Sequence, residues 1–179
     1  MTEIERAMLD GLYERMIRFD SGDPHRIQHL TKVHAFAAFM GRREGLPAET
    51  QLILEAAAIV HDIGIRPAEE KYGRHDGPLQ EKEGAPLAKK LLLETGFTQA
   101  QADRVSYLVG HHHTYTDIDG MDYQLLVEAD FLVNLHEKGD DPVAVRTALD
   151  TVFRTGSGRS LAEEMFFGSA REKAGEGEP

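Results

Sequence analysis

The sequence predicts an all-α fold, with about seven or eight helices in a single domain. Helix-start and helix-stop signals recur along the chain, and no segment combines apolar/polar alternation with the β-branched enrichment of a strand. The 179 residues are enough for one domain with a sizeable core and few for two. No internal repeat points to a solenoid or an array.

Capping signals locate the individual helices. Thr2-x-x-Glu5 forms a capping box, and Asp23-Pro24 combines an N-cap with a proline at the first helical position. Gly64 stands where the end of a helix is expected. We predict helices ending near 19 and spanning about 24–43, 48–63, 80–95, 98 to the His run at 111–113, and 122–137, with two short ones starting at Asp141-Pro142 and Ser160-x-x-Glu163.

Two segments are predicted to be irregular. Residues 65–79 are rich in Gly, Pro and charge, and a connection of that length is usually functional or mobile. The last nine residues, 171–179, read REKAGEGEP and have no apolar face. We therefore expect a domain over 1–170 followed by a disordered tail.

Composition excludes several classes of function. The chain has no cysteine, which leaves His and carboxylates as metal ligands. The net charge of -11 disfavours binding to a nucleic-acid polymer, although a small phosphorylated substrate remains compatible with it. The first residues do not resemble a signal peptide, and no apolar run is long enough to span a membrane, so we expect a cytoplasmic protein. A homodimer is expected only from general frequency.

Polar side chains fall on the apolar faces of three predicted helices. His29 shares one stripe with apolar residues four, seven and eleven positions later. His61 and Asp62 end the strongly apolar segment LILEAAAIV, and Asp130 lies among aliphatic residues. Burying an ionised carboxylate without a partner is costly, and a divalent cation would remove that cost. Taken singly, His29 could be a core histidine, Asp130 an ion-pair partner, and the His run a solvated helix end.

Four motifs together resemble one family. They are HxxKV at 29–33, AAAIVHDIG at 56–64, HHH at 111–113 and VEADFLVNL at 127–135. Their order is similar to that of the HD-domain superfamily of metal-dependent phosphohydrolases over residues 25–138. The segments YGRHDGPLQEKEGAPLAKKLL and GHHHTYTDIDG resemble a bacterial subgroup of predicted HD hydrolases.

The resemblance implies a metal shell and an all-α bundle of the HD type. A first divalent ion would be held by the signature residues of the family, which are His29, His61, Asp62 and Asp130. Many members hold a second ion that the motif Asp bridges, and we expect His111 and His112 to bind it, with His113 left open. Mn, Mg, Fe, Co, Ni and Zn are not distinguished.

The chain departs from the family pattern at two places. Binuclear members carry a further His shortly before a Gly-Ala pair, but Gly84-Ala85 is preceded by Gln80-Glu81-Lys82-Glu83. Glu81 or Glu83 could act there as a ligand or general base, or the segment could be a solvated helical turn. The cyclic-dinucleotide phosphodiesterase activity is disfavoured, since Ile65 follows HDIG and no GYP occurs.

Basic residues near the motifs are candidates for contacting a phosphate. Lys32 and Arg66 are the first choices, and Lys71 and Arg74 lie in the predicted loop. Each could equally be an ordinary surface charge. We assign no site role to His25, His34, His136 or the His75-Asp76 pair.

The function that follows is hydrolysis of a phosphoester in a small metabolite or nucleotide by metal-activated water, with Asp62 as a ligand that also orients the water. Two alternatives remain open. One is an HD-type oxygenase with two irons, and the other is a non-catalytic metal-binding or signalling module. A P-loop and a Ser nucleophile elbow are both absent from the sequence.

Overall fold

The computed structural model describes residues 1–168, and this part of the chain contains nine α-helices and no strand. The predicted all-α fold is therefore confirmed. The predicted tail at 171–179 lies outside the described residues. The helices are α1 Glu3–Phe19, α2 Pro24–Arg43, α3 Ala48–Val60, α4 Ile65–Tyr72, α5 Gly77–Glu94, α6 Gln99–Val109, α7 Met121–Glu137, α8 Pro142–Thr151 and α9 Gly156–Phe167.

The segment 65–79 corrects one expectation, because most of it is helical. Helix α4 occupies Ile65–Tyr72, and α5 begins at Gly77. Pro67 is tolerated because it lies in the first turn of α4, where backbone N–H groups have no helical partner. Gly73 then ends α4 in the left-handed conformation, with φ of 67°. The irregular connection shrinks to a few residues.

Two other helix limits differ from the prediction. Helix α3 ends at Val60, so His61–Gly64 form a turn instead of a last helical turn. Helix α9 begins at Gly156, because Thr155 and not Ser160 provides the N-cap by accepting a hydrogen bond from the backbone of Gly158.

Helix α3 forms the centre of the packing. It contacts α1, α2, α6 and α7, and each of its residues from Leu54 to Val60 is buried. Helices α2 and α7 also pack on each other, and α5 packs against α4 and α6. The C-terminal end of α3 is therefore surrounded by helices, and the turn that follows it is held in place.

Position 64 needs glycine because a side chain has no room there, and not because of the backbone conformation. Its φ is -78°, which any residue adopts. A Cβ atom there would overlap the carbonyl oxygen of Gln80 and lie 2.6 Å from the backbone nitrogen of Gly84. The turn after α3 thus packs backbone to backbone against α5.

Within residues 1–168, none of the helices has both the length and the apolar character needed to cross a membrane.

Candidate metal centre

Three elements bring four polar side chains to one point. Helix α2 contributes His29, helix α7 contributes Asp130, and the turn after α3 contributes His61 and Asp62. The side chain of His61 is fully buried, and those of His29 and Asp130 are nearly so. They meet because α2, α3 and α7 pack on one another.

The four facing atoms have the spacing of ligands around one ion. His29 Nε2 lies 3.3 Å from His61 Nε2 and 3.2 Å from Asp130 Oδ1, and His61 Nε2 lies 3.4 Å from Asp130 Oδ1. Asp62 Oδ2 is 3.5 Å from His29 Nε2 and 3.7 Å from His61 Nε2. Ligand atoms roughly 2.1 Å from a metal are about 3.0–3.4 Å apart, so this group is only slightly wider than a bound shell.

The outer nitrogen of each imidazole has its own acceptor. His61 Nδ1 donates to the carbonyl oxygen of Ala58 at 3.0 Å, and His29 Nδ1 donates to the Glu137 carboxylate at 2.9 Å. Asn134 also donates to Asp130 Oδ1 at 2.7 Å. Such contacts fix the ring tautomer, and they leave the Nε2 lone pairs directed at the centre.

Four electron-pair donors facing one another need a cation between them. Burial would lower the pKa of His29, but hydrogen bonding to Asp130 and the charges of Asp130 and Asp62 raise it to about 9. Burial would raise the pKa of both carboxyls, yet the facing imidazoles hold the pKa of Asp62 and Asp130 below its usual range. The proton that His29 holds shows that this centre attracts a cation. A divalent ion that replaced the proton would bind ionised carboxylates and neutral imidazoles.

A second group shares Asp62 with the first. Asp62, His112 and His113 each offer one ligand atom within 4.8 Å of the others. His112 Nε2 lies 3.3 Å from Asp62 Oδ1, while Oδ2 of the same carboxylate faces His29 and His61. His112 Nδ1 donates to the carbonyl oxygen of Val109 at 2.8 Å. One carboxylate thus faces two groups, as a bridging ligand would.

The HD-domain sequence profile matches residues 26–148, which is more than half of the chain. The chain belongs to the HD-domain family. A crystal structure of a predicted HD superfamily hydrolase from an uncultured Thermotogales bacterium is similar, with a TM-score of 0.60 and 27% identity over 89% of this chain and 83% of that chain. A comparison with curated proteins gives no significant match.

The two groups together, His29, His61, Asp62, Asp130, His112 and His113, form the HD centre, and it includes the third histidine of the run instead of the first. His111, which we expected to bind the second ion, is exposed, stacks on Tyr107 with ring centroids 4.2 Å apart, and donates to the Tyr107 carbonyl oxygen at 2.7 Å. The turn after α6 gives the three rings different directions, and Tyr123 fixes it by donating to the carbonyl oxygens of His111 and Thr114. His113 therefore takes the place expected for His111.

His113 suits a ligand because it is neutral. Burial and the neighbouring His112 lower its pKa to about 4. The backbone N–H of His113 donates to Glu81 Oε1 at 3.0 Å. Glu81 thus holds the segment that carries the second group and faces the ring of His113. Glu83 instead accepts hydrogen bonds from Tyr72 and Lys71, so it lies apart from the HD centre.

None of the basic residues chosen from the sequence is among the residues that line the cavity beside the centre. Lys32 is bound to Glu137 at 2.7 Å, on the outer side of His29. Arg66 donates to the carbonyl oxygen of Phe19 at the end of α1, and it pairs with Glu70 on its own helix α4. Lys71 pairs with Glu83 and Arg74 with Asp76.

A cavity of about 440 Å³ opens over the HD centre, and Arg26 and Lys138 are the arginine and lysine that line it. His25 and His75, to which we assigned no role, also line it. The other lining residues are Asp23, His29, Asp62, Ile65, Glu69, Gln80, His113, Tyr115, Asp130, Phe131, Asn134 and Glu137.

Helical spacing is the sequence signal that could have found three of the missed residues. Asn134 and Glu137 follow Asp130 by four and seven positions on α7, and Arg26 precedes His29 by three on α2. Each therefore shares a helix face with a ligand. Helical spacing does not tell which of His111 and His113 belongs to the second group.

Proposed function

We propose that this HD-domain protein is a metal-dependent phosphohydrolase that acts on a small phosphorylated metabolite or nucleotide. The observation that carries the proposal is the position of Asp62, which lines the cavity and turns one oxygen toward each of the two groups of candidate ligands. The predicted HD superfamily hydrolase from the Thermotogales bacterium supports the same reaction class.

Different residues of this chain would bind the ions and orient the attacking water. When bound, a divalent ion supplies a water of lowered pKa and polarises the phosphoryl oxygen. His29, His61 and Asp130 would hold the first ion, His112 and His113 the second, and Asp62 would contact both. Because Asp62 is ionised and fixed between the groups, it would accept a hydrogen bond from the attacking water and orient it.

Arg26 is the residue we assign to the substrate phosphate. It lines the cavity, and its side chain is only 14% exposed. Its ion-pair contacts to carboxylates are between 3.4 and 3.7 Å, which is longer than a strong charge-assisted hydrogen bond. A phosphate oxygen could therefore displace these weakly held carboxylates from the N–H donors of Arg26, including Glu69, which accepts from Nη2 at 3.4 Å. Lys32 is less suitable because Glu137 holds its ammonium group at 2.7 Å.

The volume of the cavity favours a small substrate. A volume of about 440 Å³ accommodates a single metabolite or mononucleotide. Tyr115 and Phe131 meet edge to face at the wall, with ring centroids 5.1 Å apart, and offer an apolar surface to the rest of the substrate. The net charge of -11 supports exclusion of a nucleic-acid polymer.

An oxygenase with two irons is the second candidate, since a carboxylate bridge between two groups of His and Asp ligands suits iron as well. The two functions differ in what they consume. A hydrolase cleaves its phosphoester with water under nitrogen, whereas an oxygenase takes up dioxygen when its substrate is present.

The test uses protein loaded with Mn²⁺, Mg²⁺, Co²⁺ or Fe²⁺ and a panel of nucleoside monophosphates, sugar phosphates and phosphodiesters. We expect hydrolysis, measured as inorganic phosphate from the monoesters and as phosphomonoester from the diesters, that requires the metal and falls by at least about a thousandfold in D130N. Exposed His136, which faces away toward Asp140, gives the matched control H136N, and it should retain full activity. Metal-loaded protein that hydrolyses none of these compounds would refute the proposal.

A further inference from the structure

Asp20 is a buried carboxylate at the end of α1. Its side chain is fully buried, and within residues 1–168 neither Oδ1 nor Oδ2 has a hydrogen-bond partner. An ionised group in such a place is costly unless a cation compensates it. The cation in ion-pair contact with it is Arg26, whose Nη1 lies 3.7 Å from Asp20 Oδ1, and the charge of Arg66 acts on the same carboxyl.

The backbone directs Asp20 inward. Residues 20–23 form the turn between α1 and α2, in which Gly22 has φ of 91°. The Asp20 N–H donates to the carbonyl oxygen of Met16, and the Asp23 N–H donates to the carbonyl oxygen of Asp20, both at 2.9 Å. These bonds hold Asp20 at the end of α1, against the first turn of α2 that carries Arg26.

Arg26 has three carboxylate neighbours of two kinds. Its Nη1 faces Asp20, whereas its Nη2 lies 3.4 Å from both Asp23 Oδ2 and Glu69 Oε2. The side chains of Asp23 and Glu69 are 40% and 41% exposed, against 0% for Asp20. Asp23 and Glu69 can turn into solvent when an anion arrives, but Asp20 has no space in which to move.

We propose that Asp20 is a positioning residue, which holds the Nη1 end of Arg26 at the cavity wall while an oxyanion of the substrate displaces Asp23 and Glu69 from the Nη2 end. The proposal rests on the proposed function, because it assigns the phosphate to Arg26. It concerns the binding of an oxyanion only, so it can be measured without turnover.

The sign of the effect separates positioning from simple electrostatics. A negative charge near Arg26 repels phosphate, so removing any of the three carboxylates should strengthen phosphate binding if charge alone matters. If Asp20 positions the guanidinium, its removal frees Arg26 and weakens phosphate binding instead. Asp23 and Glu69 compete with the phosphate, so their removal strengthens binding in either case.

The experiment is calorimetric titration of the metal-loaded protein with inorganic phosphate. We expect D20N to weaken binding about tenfold and R26M by at least as much. D23N and E69Q should strengthen binding about two- to threefold. D23N is a matched control because it also removes one charge beside Arg26, while Asn still caps α2 as well as Asp does.

A double variant tests whether Asp20 acts through Arg26. In the R26M background D20N should have no further effect on phosphate affinity, which a general structural role would not produce. D20S serves in the same way if D20N does not fold. Unchanged or tighter phosphate binding in D20N would overturn the proposal, as would an additive loss in the double variant. Phosphoester hydrolysis by the wild type alongside either result would leave the proposed function standing.

Discussion

The Nε2 atoms of His29 and His61 lie 3.3 Å apart, although the Nδ1 atoms of both rings already donate to other groups. Two neutral imidazoles in this arrangement direct lone pairs at each other, and Asp130 adds a carboxylate oxygen 3.2 Å from His29 Nε2. A cation between them removes the repulsion. In its absence a proton must do so, which agrees with the raised pKa of His29. The hydrogen bonds that Nδ1 of each ring donates keep Nε2 directed at the cation, so they should contribute to metal affinity.

Replacing Glu137 tests this consequence. E137Q keeps an oxygen that accepts from His29 Nδ1 but removes the negative charge that supports the ring as a donor. We expect metal affinity, measured by competition with a chromophoric chelator, to fall about tenfold. K32M is the matched control, because Lys32 contacts the other oxygen of Glu137 and touches no ligand. Equal losses in both variants would contradict the account.

The ligand positions on helices were predictable, because helical spacing and burial suffice to find them. His29 and Asp130 lie in apolar segments where an isolated polar group would be costly, and the structure places both in the first group. It was not predictable which histidines of the run at 111–113 face the second group. It depends on the turn after α6 and on the hydroxyl of Tyr123, which comes from a different helix.

Gly64 gives a prediction about stability. In G64A the added methyl group meets the backbone of Gln80 and Gly84, which cannot rotate away. We expect the free energy of unfolding in urea to fall by roughly 2–3 kcal/mol, as in overpacked cores. G11A, within α1, is the control, since its Cβ would find only the methyl group of Thr95 at 3.6 Å. That variant should gain about 0.5–1 kcal/mol from helix propensity, and a stable G64A would refute the packing argument.

Asp20 gives a prediction about pH. Burial raises its pKa to about 6 in the folded chain, although Arg26 lowers it in part. In the unfolded chain the pKa is about 3.9, so the folded state binds more protons between these values and loses stability as the pH rises through them. In metal-free protein the wild type should lose roughly 1–2 kcal/mol relative to D20N between about pH 4.5 and pH 7. Urea denaturation at both pH values measures this, and a constant difference would exclude it.

Other parts of the site could not be predicted because they depend on how helices end and pack. Arg66 follows the His-Asp motif closely in sequence, yet α4 turns its side chain toward Phe19. Arg26 lines the cavity because α2 starts at Pro24 and places it one turn before His29. Helix α4 was not predicted, because it is short and largely polar and Ala68 is its sole buried residue.

The metal content of purified, tag-free protein tests the central claim most directly. Elemental analysis would compare the wild type with D62A, with the double variant H112A/H113A, and with H111A, while circular dichroism checks that each remains helical. We predict two equivalents of metal in the wild type and in H111A, one in H112A/H113A, and none in D62A, whose carboxylate faces both groups. Unchanged metal content in D62A, or the loss of an ion in H111A, would contradict the account.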